Sequence, residues 1–358
     1  MKPADQTPEA AKAALDAHVV EMVRWHFSPE TGTPHWIDWA AAAGWDPCAA
    51  VRQFEDLLRF PNFDGELLRS EPHERWIPRA YVGRPFTIFE TGGTTGLPKQ
   101  RIGWDDYKHD YEAFSATLDE DAFPRGGYWL MIGPTGPRRL RLAIEHLANH
   151  RGSSCYFVDL DPRWVKKLIR ANDTEHALAY MAHVIDQAVA ILDKRDVSVL
   201  FTTPKLLEEL SERISIPGAG IRGVFCGGTT MTPQTTRFLV EEVLEGEVAF
   251  VPTYGNTLMG LAAHKPTLRE DGFSITYYAP QPRAVLRVVD PEVPQNTVDY
   301  DAVGRVELTT LTQEFFMPRF LERDEAIRRR PCPEFPWDGV GEVRPFAAST
   351  DVIVEGVY

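Results

Sequence analysis

Apolar positions in the first sixty residues recur at helical spacing. "EAAKAALDAHVVEMVRWHF" carries them along one face, and "DPCAAVRQFEDLLRF" repeats the pattern after an Asp-Pro start. The texture then changes. "PFTIFET" (85–91) reads as a short buried strand running directly into a glycine-rich loop, and "WDDYKHDYEAFSATL" reads as a helix. Alternation follows: "YWLMIG" as a strand, "RRLRLAIEHLANHRG" as a helix stopped by Gly152, and "SCYFVDL" as a strand. Two helices come next, the second being "EHALAYMAHVIDQAVAILDKR"; the strand-like runs "VSVLFTT", "IRGVFCGG" and "EVAFVPTYG" are separated by helical stretches. Strands alternating with helices predict a parallel or mixed sheet covered on both faces, with ligands collecting at the carboxyl ends of its strands. Beyond residue 270, "FSITYYA", "RAVLRVVD" and "GRVELTTLT" read as antiparallel strands, and proline and charge crowd 317–345. The expected organisation is α/β, with a layered core over 1–270 and a small antiparallel β-lobe over 271–358.

Composition narrows the partners. With 358 residues, 43% hydrophobic and 25% charged, the chain is an ordinary globular one with room for a substantial core. The 52 acidic against 38 basic residues leave a formal charge of −14, which argues against nucleic acid and against an anionic membrane surface. A small anion stays compatible, because one loop can be positive inside an acidic protein. The N-terminal stretch lacks the apolar segment of a signal peptide, and no run is long enough to span a membrane. Cys48, Cys155, Cys226 and Cys332 are far apart with no metal-like spacing, and read as reduced thiols. A soluble, cytoplasmic protein is expected.

"FETGGTTGLPKQ" (89–100) holds the first candidate chemistry. Glycines let backbone N–H groups close around an anion, threonines add hydroxyl donors, and a lysine adds charge. A Walker A loop needs four residues between its glycines and a lysine directly after the second. Here Gly92 and Gly96 have three residues between them, and Leu97-Pro98 precede Lys99. The stretch instead resembles the Ser/Thr–Ser/Gly–Gly–Ser/Thr–Thr–Gly–x–Pro–Lys loop of the adenylate-forming superfamily of acyl-CoA synthetases, peptide-synthetase adenylation domains and luciferases. Thr91, Gly92, Gly93, Thr94, Thr95, Gly96, Pro98 and Lys99 all fit it. Downstream, "FCGGTTMTP", with Gly227, Gly228 and Thr229, resembles the family's adenine-side segment. "VPTYGNTLMG" resembles its Tyr-Gly-x-Thr-Glu motif through Tyr254, Gly255, Asn256 and Thr257, and "MPRFLERDEA" its ribose-binding stretch through Asp324. The wording of this last region is most similar to the phenylacetate-CoA ligase branch.

The resemblance implies the large N-terminal domain of the adenylate-forming fold and attack of a substrate carboxylate on the α-phosphate of ATP, with Mg²⁺. The loop at 91–99 would hold the β- and γ-phosphates, Thr257 the α-phosphate, Asp324 the ribose, and Gly228 with Tyr254 the adenine. Lys99 and Thr257 are the expected catalytic residues. Departures accompany it. The motif glutamate is Leu258, and in "FAASTDVIVEGVY" Ala347 and Ala348 stand where the hinge Gly and Arg belong, with Thr350 or Asp351 near the hinge Asp. The chain then stops, so the resemblance implies that the lid domain and its catalytic lysine are missing, as in shortened adenylation proteins of phenazine-antibiotic pathways. Arg344 and Arg319 are substitute cations or plain ion pairs. Asp324 binds ribose or pairs with Arg323 or Arg328; His264 faces an acyl pocket or is structural; Tyr128, Trp129 and "TYYAP" line an aromatic pocket or fill the core. Two functions stand: an enzyme that adenylates an aromatic or heteroaromatic acid and hands the acyl-AMP to an acceptor or partner enzyme, or a degenerate member that binds without turnover.

Overall fold

The computed structural model describes residues 6–91, 97–136, 139–227 and 230–346. The chain forms two compact units. Unit 1 comprises Met1–Asp106, Asn256–Lys265 and Thr276–Ser349, and unit 2 comprises Tyr107–Gly255, Pro266–Ile275 and Thr350–Tyr358. This division follows contacts and interleaves the chain, whereas a boundary at 270 follows the change of texture.

Unit 1 begins with helices α1 (Pro8–Phe27), α2 (Pro34–Ala43), α3 (Pro47–Ala50) and α4 (Leu67–Ser70). Three of them start on proline at the first helical position, where its missing N–H costs nothing. The second predicted helix is broken: α3 stops at Ala50, Val51 is extended, and a 3-10 turn spans Phe54–Arg59. Side-chain caps mark the start of each piece. Asp46 Oδ1 accepts from Cys48 N at 2.9 Å, and Asp56 Oδ2 accepts from Arg52 N and Gln53 N at 2.8 and 3.2 Å, restarting the chain. Strands β1 (Thr87–Glu90) and β2 (Gln100–Gly103) then pair as a two-stranded antiparallel hairpin. β1 is not the buried strand that its apolar run suggests, because in a two-stranded ribbon one face meets solvent; Ile88 is 40% exposed and Phe89 only 2%.

Unit 2 contains α5 (Asp106–Ser115, its first residue belonging to unit 1), β3 (Tyr128–Gly133), α6 (Arg139–His150), β4 (Ser154–Asp159), α7 (Pro162–Arg170) and α8 (Thr174–Leu192). β5 (Val197–Thr202), α9 (Pro204–Ser211), β6 (Gly223–Gly227), α10 (Pro233–Phe238) and β7 (Ala249–Asn256) complete it. The strands form a parallel sheet in the order β7-β6-β5-β3-β4. The near-continuous burial of β3, β5 and β6 is what a parallel sheet requires.

The chain returns to unit 1 with β8 (Gly260–His264), β9 (Thr276–Tyr278), β10 (Ala284–Val289), β11 (Val303–Leu311), β12 (Phe316–Arg329) and β13 (Gly339–Pro345). These form an antiparallel sheet in the order β10-β11-β12-β13-β9-β8. The expected consecutive strands after residue 270 are therefore present, and the charge-dense stretch after 317 holds two more. Phe27 of α1, Trp36 of α2 and Phe60 after the 3-10 turn pack on Phe316 of β12, with Trp39 of α2 against Phe27, in a tilted and edge-to-face cluster that covers this sheet.

Candidate active site

In unit 1 the loop carrying Thr91 and Lys99 closes the β1–β2 hairpin, and these two residues form its neck. Thr91 N donates to Lys99 O at 3.0 Å, and Lys99 N donates to Thr91 Oγ1 at 3.0 Å. Arg69 Nε donates to Leu97 O at 2.6 Å from α4. Gly92, Gly93, Thr94, Thr95 and Gly96 lie outside the described residues. The Lys99 ammonium rests 4.3 Å over the Phe320 ring. It also lies against Gly65, where a Cβ would stand 2.5 Å from Nζ, so any side chain at 65 pushes the lysine aside. Burial holds the Lys99 pKa below its ordinary value, and Glu322 opposes that shift.

The Asn256–Met259 turn supplies the second part. Asn256 Oδ1 accepts from Leu258 N and Met259 N, both at 2.9 Å, and Asn256 Nδ2 donates to Glu322 Oε1 at 2.7 Å. Thr257 Oγ1 donates to Glu90 O at 3.1 Å, tying the turn to β1. The Thr257 and Leu258 carbonyls both accept from Arg101 Nη1, at 3.2 and 2.8 Å. Arg101 is 2% exposed and pairs with Asp106 at 2.7 Å; Asp106 also accepts from Arg283 Nη2 at 2.9 Å and from the Thr312 hydroxyl at 2.5 Å. Behind them His26 bridges Thr33 Oγ1 and Thr312 O, each at 2.7 Å, and burial pushes its pKa down to about 4. The turn thus sits on a buried, hydrogen-bonded polar network, the condition under which such a network rigidifies its neighbours.

The third part is a bulge in β12. Arg305 pairs with Glu325 and Glu307 with Leu321, so two steps on β11 oppose four on β12. Glu322, Arg323 and Asp324 occupy the surplus. Bulges of this kind re-aim side chains, and Arg305 Nε satisfies the Glu322 carbonyl at 2.8 Å. Glu322 is half-buried. Burial, followed by the like charge of Asp324, pushes its carboxyl up to about 7, while Lys99 and the Asn256 hydrogen bond pull it down. Asp324, Glu322, Lys99 and Asn256 therefore share one electrostatic neighbourhood. The Arg328 guanidinium is committed elsewhere, to Asp338 at 2.7 Å and to Val298 O at 2.8 Å.

Several sequence candidates prove to be structural. Arg319 is 2% exposed, has φ of +54°, and commits its guanidinium to Glu307 (3.2 Å) and Phe60 O (2.7 Å). Arg344 pairs with Glu325 at 2.7 Å. Trp129 is fully buried in unit 2, and Tyr278 stacks on Phe335 at 4.8 Å while its hydroxyl donates to Arg330 O. These two are core residues, while Tyr128 is 42% exposed. His264 is half-buried on β8, and burial pushes its pKa down to about 4, leaving a neutral imidazole. All four cysteines are free.

In unit 2, Gly227 ends β6 opposite Thr253 of β7, and a Cβ at Gly227 would stand 2.5 Å from Thr253 Oγ1. That close approach requires glycine. Tyr254 is half-buried and Gly255 exposed at the carboxyl end of β7, where a parallel sheet presents ligand-binding groups. Gly228 and Thr229 lie outside the described residues, as does the 347–358 segment with the hinge positions.

Three residues were missed from the sequence. Glu322 stands two residues before Asp324, a spacing that puts both on one face of a strand, and this was the available signal. Arg101 and Glu314 gave none, since each reads as a surface charge. Glu314 accepts from the N–H groups of Trp104 (2.7 Å) and Asp106 (3.0 Å) at the start of α5.

Lys99 and Asp324 together can meet an anion and a hydroxylated ring: a cation and hydroxyls at the hairpin neck, and a carboxylate acceptor on the bulge. A protein carboxylate for Mg²⁺ does not fit at position 258, where Leu258 is 2% exposed. A cavity of about 380 Å³ in unit 1, lined by Leu15, Leu57, Val285, Trp337 and Arg287, is a different place and includes none of these residues.

No family model and no curated protein sequence matches the chain. Solved structures do. The chain is similar to 2-hydroxyisobutyryl-CoA ligase in complex with 2-HIB-AMP and CoA, at TM-score 0.67 and 16% identity, covering 93% of this chain and 67% of that one. An open conformation of the same ligase matches at TM-score 0.67 and 14% identity, over 99% of this chain and 78% of that one. o-Succinylbenzoate CoA synthetase from Bacillus subtilis matches at TM-score 0.50 and 13% identity, over 76% of this chain and 50% of that one. The mixed α/β fold is thus shared with the 2-hydroxyisobutyryl-CoA ligase, and the chain spans about two thirds to three quarters of that protein's length.

Proposed function

We propose that this protein activates a carboxylic acid with ATP. The carrying observation is the gathering of Lys99, Asn256 and Asp324 around Glu322, with Thr257 next to Asn256 on the same turn, in the fold of a ligase whose structure holds an acyl-AMP. The substrate carboxylate oxygen attacks the α-phosphorus of MgATP, the bond to the bridging oxygen of the β-phosphate breaks, and pyrophosphate leaves with that electron pair. The products are an acyl-adenylate and Mg-pyrophosphate. Lys99, with the loop at 91–99, stabilises charge on the leaving phosphates; Thr257 orients the α-phosphate; and Asp324 accepts hydrogen bonds from the ribose. Such catalysis runs on positioning and fixed dipoles.

The finer reading is an aromatic or heteroaromatic acid, phenazine-like, activated in antibiotic biosynthesis by a member of the phenylacetate-CoA ligase branch, with the acyl-AMP taken by an external acceptor or partner enzyme. The motif wording around Asp324 supports it. Leu258 favours a second reading, in which nucleotide and acid bind without turnover and the protein serves as a carrier. Acid-dependent exchange of labelled pyrophosphate into ATP separates the two. Exchange is expected with an aromatic acid; saturable nucleotide binding without exchange across a panel of acids selects the carrier.

A further inference from the structure

A second cluster of chemistry-bearing side chains lies in unit 2, on α5 and α6, and shares no residue with the proposed nucleotide site. His146 and His150 are spaced i, i+4 on α6, and His109 and Glu112 i, i+3 on α5, so each pair shares one helix face. His146 Nε2 lies 2.9 Å from Glu112 Oε1, His109 Nδ1 lies 4.0 Å from Glu112 Oε2, and single ligand atoms of Glu112, His146 and His150 all fall within 4.8 Å of one another. A tetrahedral zinc with bonds of about 2.0–2.1 Å needs its ligand atoms roughly 3.3 Å apart. Small side-chain rotations reach that value from this geometry.

The backbones that carry these groups are already held together. Arg139 at the start of α6 forms a buried ion pair with Asp110 on α5. Arg151, just past the end of α6, donates from Nη1 to Ser115 O at 3.2 Å and Ser115 Oγ at 3.0 Å at the end of α5. Glu112 on α5 and His146 and His150 on α6 lie between these two anchors in sequence. The Tyr107 ring stands edge-on to His146 at 6.1 Å, and the His146 and His150 rings are tilted 33° with centroids 6.2 Å apart. Ligands are thus presented from two clamped helices, with the side toward water open.

We propose that Glu112, His146 and His150 form a binding site for a divalent transition-metal ion, Zn²⁺ foremost, with His109 or water as the fourth ligand. Imidazole nitrogens with one carboxylate suit Zn²⁺, Co²⁺ or Ni²⁺, not the all-oxygen preference of Mg²⁺, so this site is chemically separate from MgATP. A bound ion cross-links α5 to α6 and stabilises unit 2. Without an ion the same geometry is a His146–Glu112 hydrogen bond, and that is the alternative to be tested.

The experiment uses the full chain, stripped with EDTA and titrated with Zn²⁺ by calorimetry, and with Co²⁺ by visible absorption. One equivalent of Zn²⁺, intense tetrahedral Co²⁺ bands and a rise in Tm are expected in the wild type. Glu112→Gln, His146→Ala and His150→Ala are each expected to weaken Zn²⁺ binding about tenfold or more and to abolish the Tm rise. His150 is exposed at the end of α6, so its variant tests the site even if His146→Ala fails to fold. No saturable Zn²⁺ uptake, or uptake unchanged in Glu112→Gln and His150→Ala, overturns the proposal.

Discussion

The two sheets bury very different side chains. In unit 2, β3, β5, β6 and β7 contain no charged residue, and Leu130, Met131, Ile132, Leu200 and Val224 are wholly buried. In unit 1, β12 alone carries seven charged residues in "FMPRFLERDEAIRR", and Arg319 on it is buried with Glu307 of the neighbouring strand. Hydrophobic burial is non-directional and tolerates substitutions of similar volume. Buried charges are directional, since each must find its partner or suffer a desolvation penalty. The antiparallel sheet, which carries Asp324 and Glu322, is therefore specified residue by residue, as is the buried polar network under Thr257 in the same unit.

The sharpest way to break this contrast is to remove Arg101. It neutralises buried Asp106 and holds the Thr257 and Leu258 carbonyls. Deleting one partner of a buried pair costs about 3–5 kcal/mol, so Arg101→Ala is expected to lower the free energy of unfolding by that amount in urea. Arg283, which also reaches Asp106, sets the lower end of the range. A loss under about 1 kcal/mol, the level of an exposed pair, means the network does not hold the turn.

A smaller effect is expected on nucleotide affinity, and it distinguishes two residues. Lys99 would meet phosphates that leave as pyrophosphate, so Lys99→Ala should weaken ATP about tenfold or more and AMP little. Asp324 would meet the ribose common to both, so Asp324→Ala should weaken ATP and AMP alike. Hydrogen bonds to charged groups are worth about 1.5–3 kcal/mol. Calorimetry with both ligands on both variants checks the assignment, and native AMP affinity in Asp324→Ala refutes the ribose role.

The same contrast explains what was legible from sequence. The strands of unit 2 were readable because a parallel strand buried on both faces is a plain apolar run; Gly227 was singled out only by motif resemblance, and its close approach to Thr253 is visible only in the fold. The hairpin neck at Thr91 and Lys99 was found by motif, but β2 was not, since "QRIG" is too short and polar to show alternation. β12 was hidden by its charge. Its bulge depends on which residues of β11 it meets, and pairing register is a property of two distant segments together. Glu322 inherits its environment from that bulge, and Arg101 from the packing of Phe315 (4.6 Å from its guanidinium) and Asp106, so neither is visible as buried in the one-dimensional pattern.

Glu322 offers the finest test, because the displacement of its pKa has a definite sign. Its carboxyl is pushed from the ordinary value of 4.5 up to about 7, mainly by burial and then by Asp324, with Lys99, Asn256 and Arg323 acting in the opposite direction. Between those two values the folded chain holds a proton that the unfolded chain has released. Stability therefore falls as pH rises through this window, and the contribution present below pH 4.5 is gone above about 7. A tenfold change in an ionisation constant corresponds to about 1.4 kcal/mol, and this bounds the slope. Glu322→Gln keeps the size and an amide for Asn256 to meet but cannot ionise. Urea unfolding at intervals from pH 5 to 7 should therefore give a flatter profile for Glu322→Gln than for the wild type, the two differing by up to about 1.4 kcal/mol per pH unit. Parallel profiles would mean that Glu322 is already ionised at pH 5, with its charge balanced by Lys99 as in an ordinary surface pair.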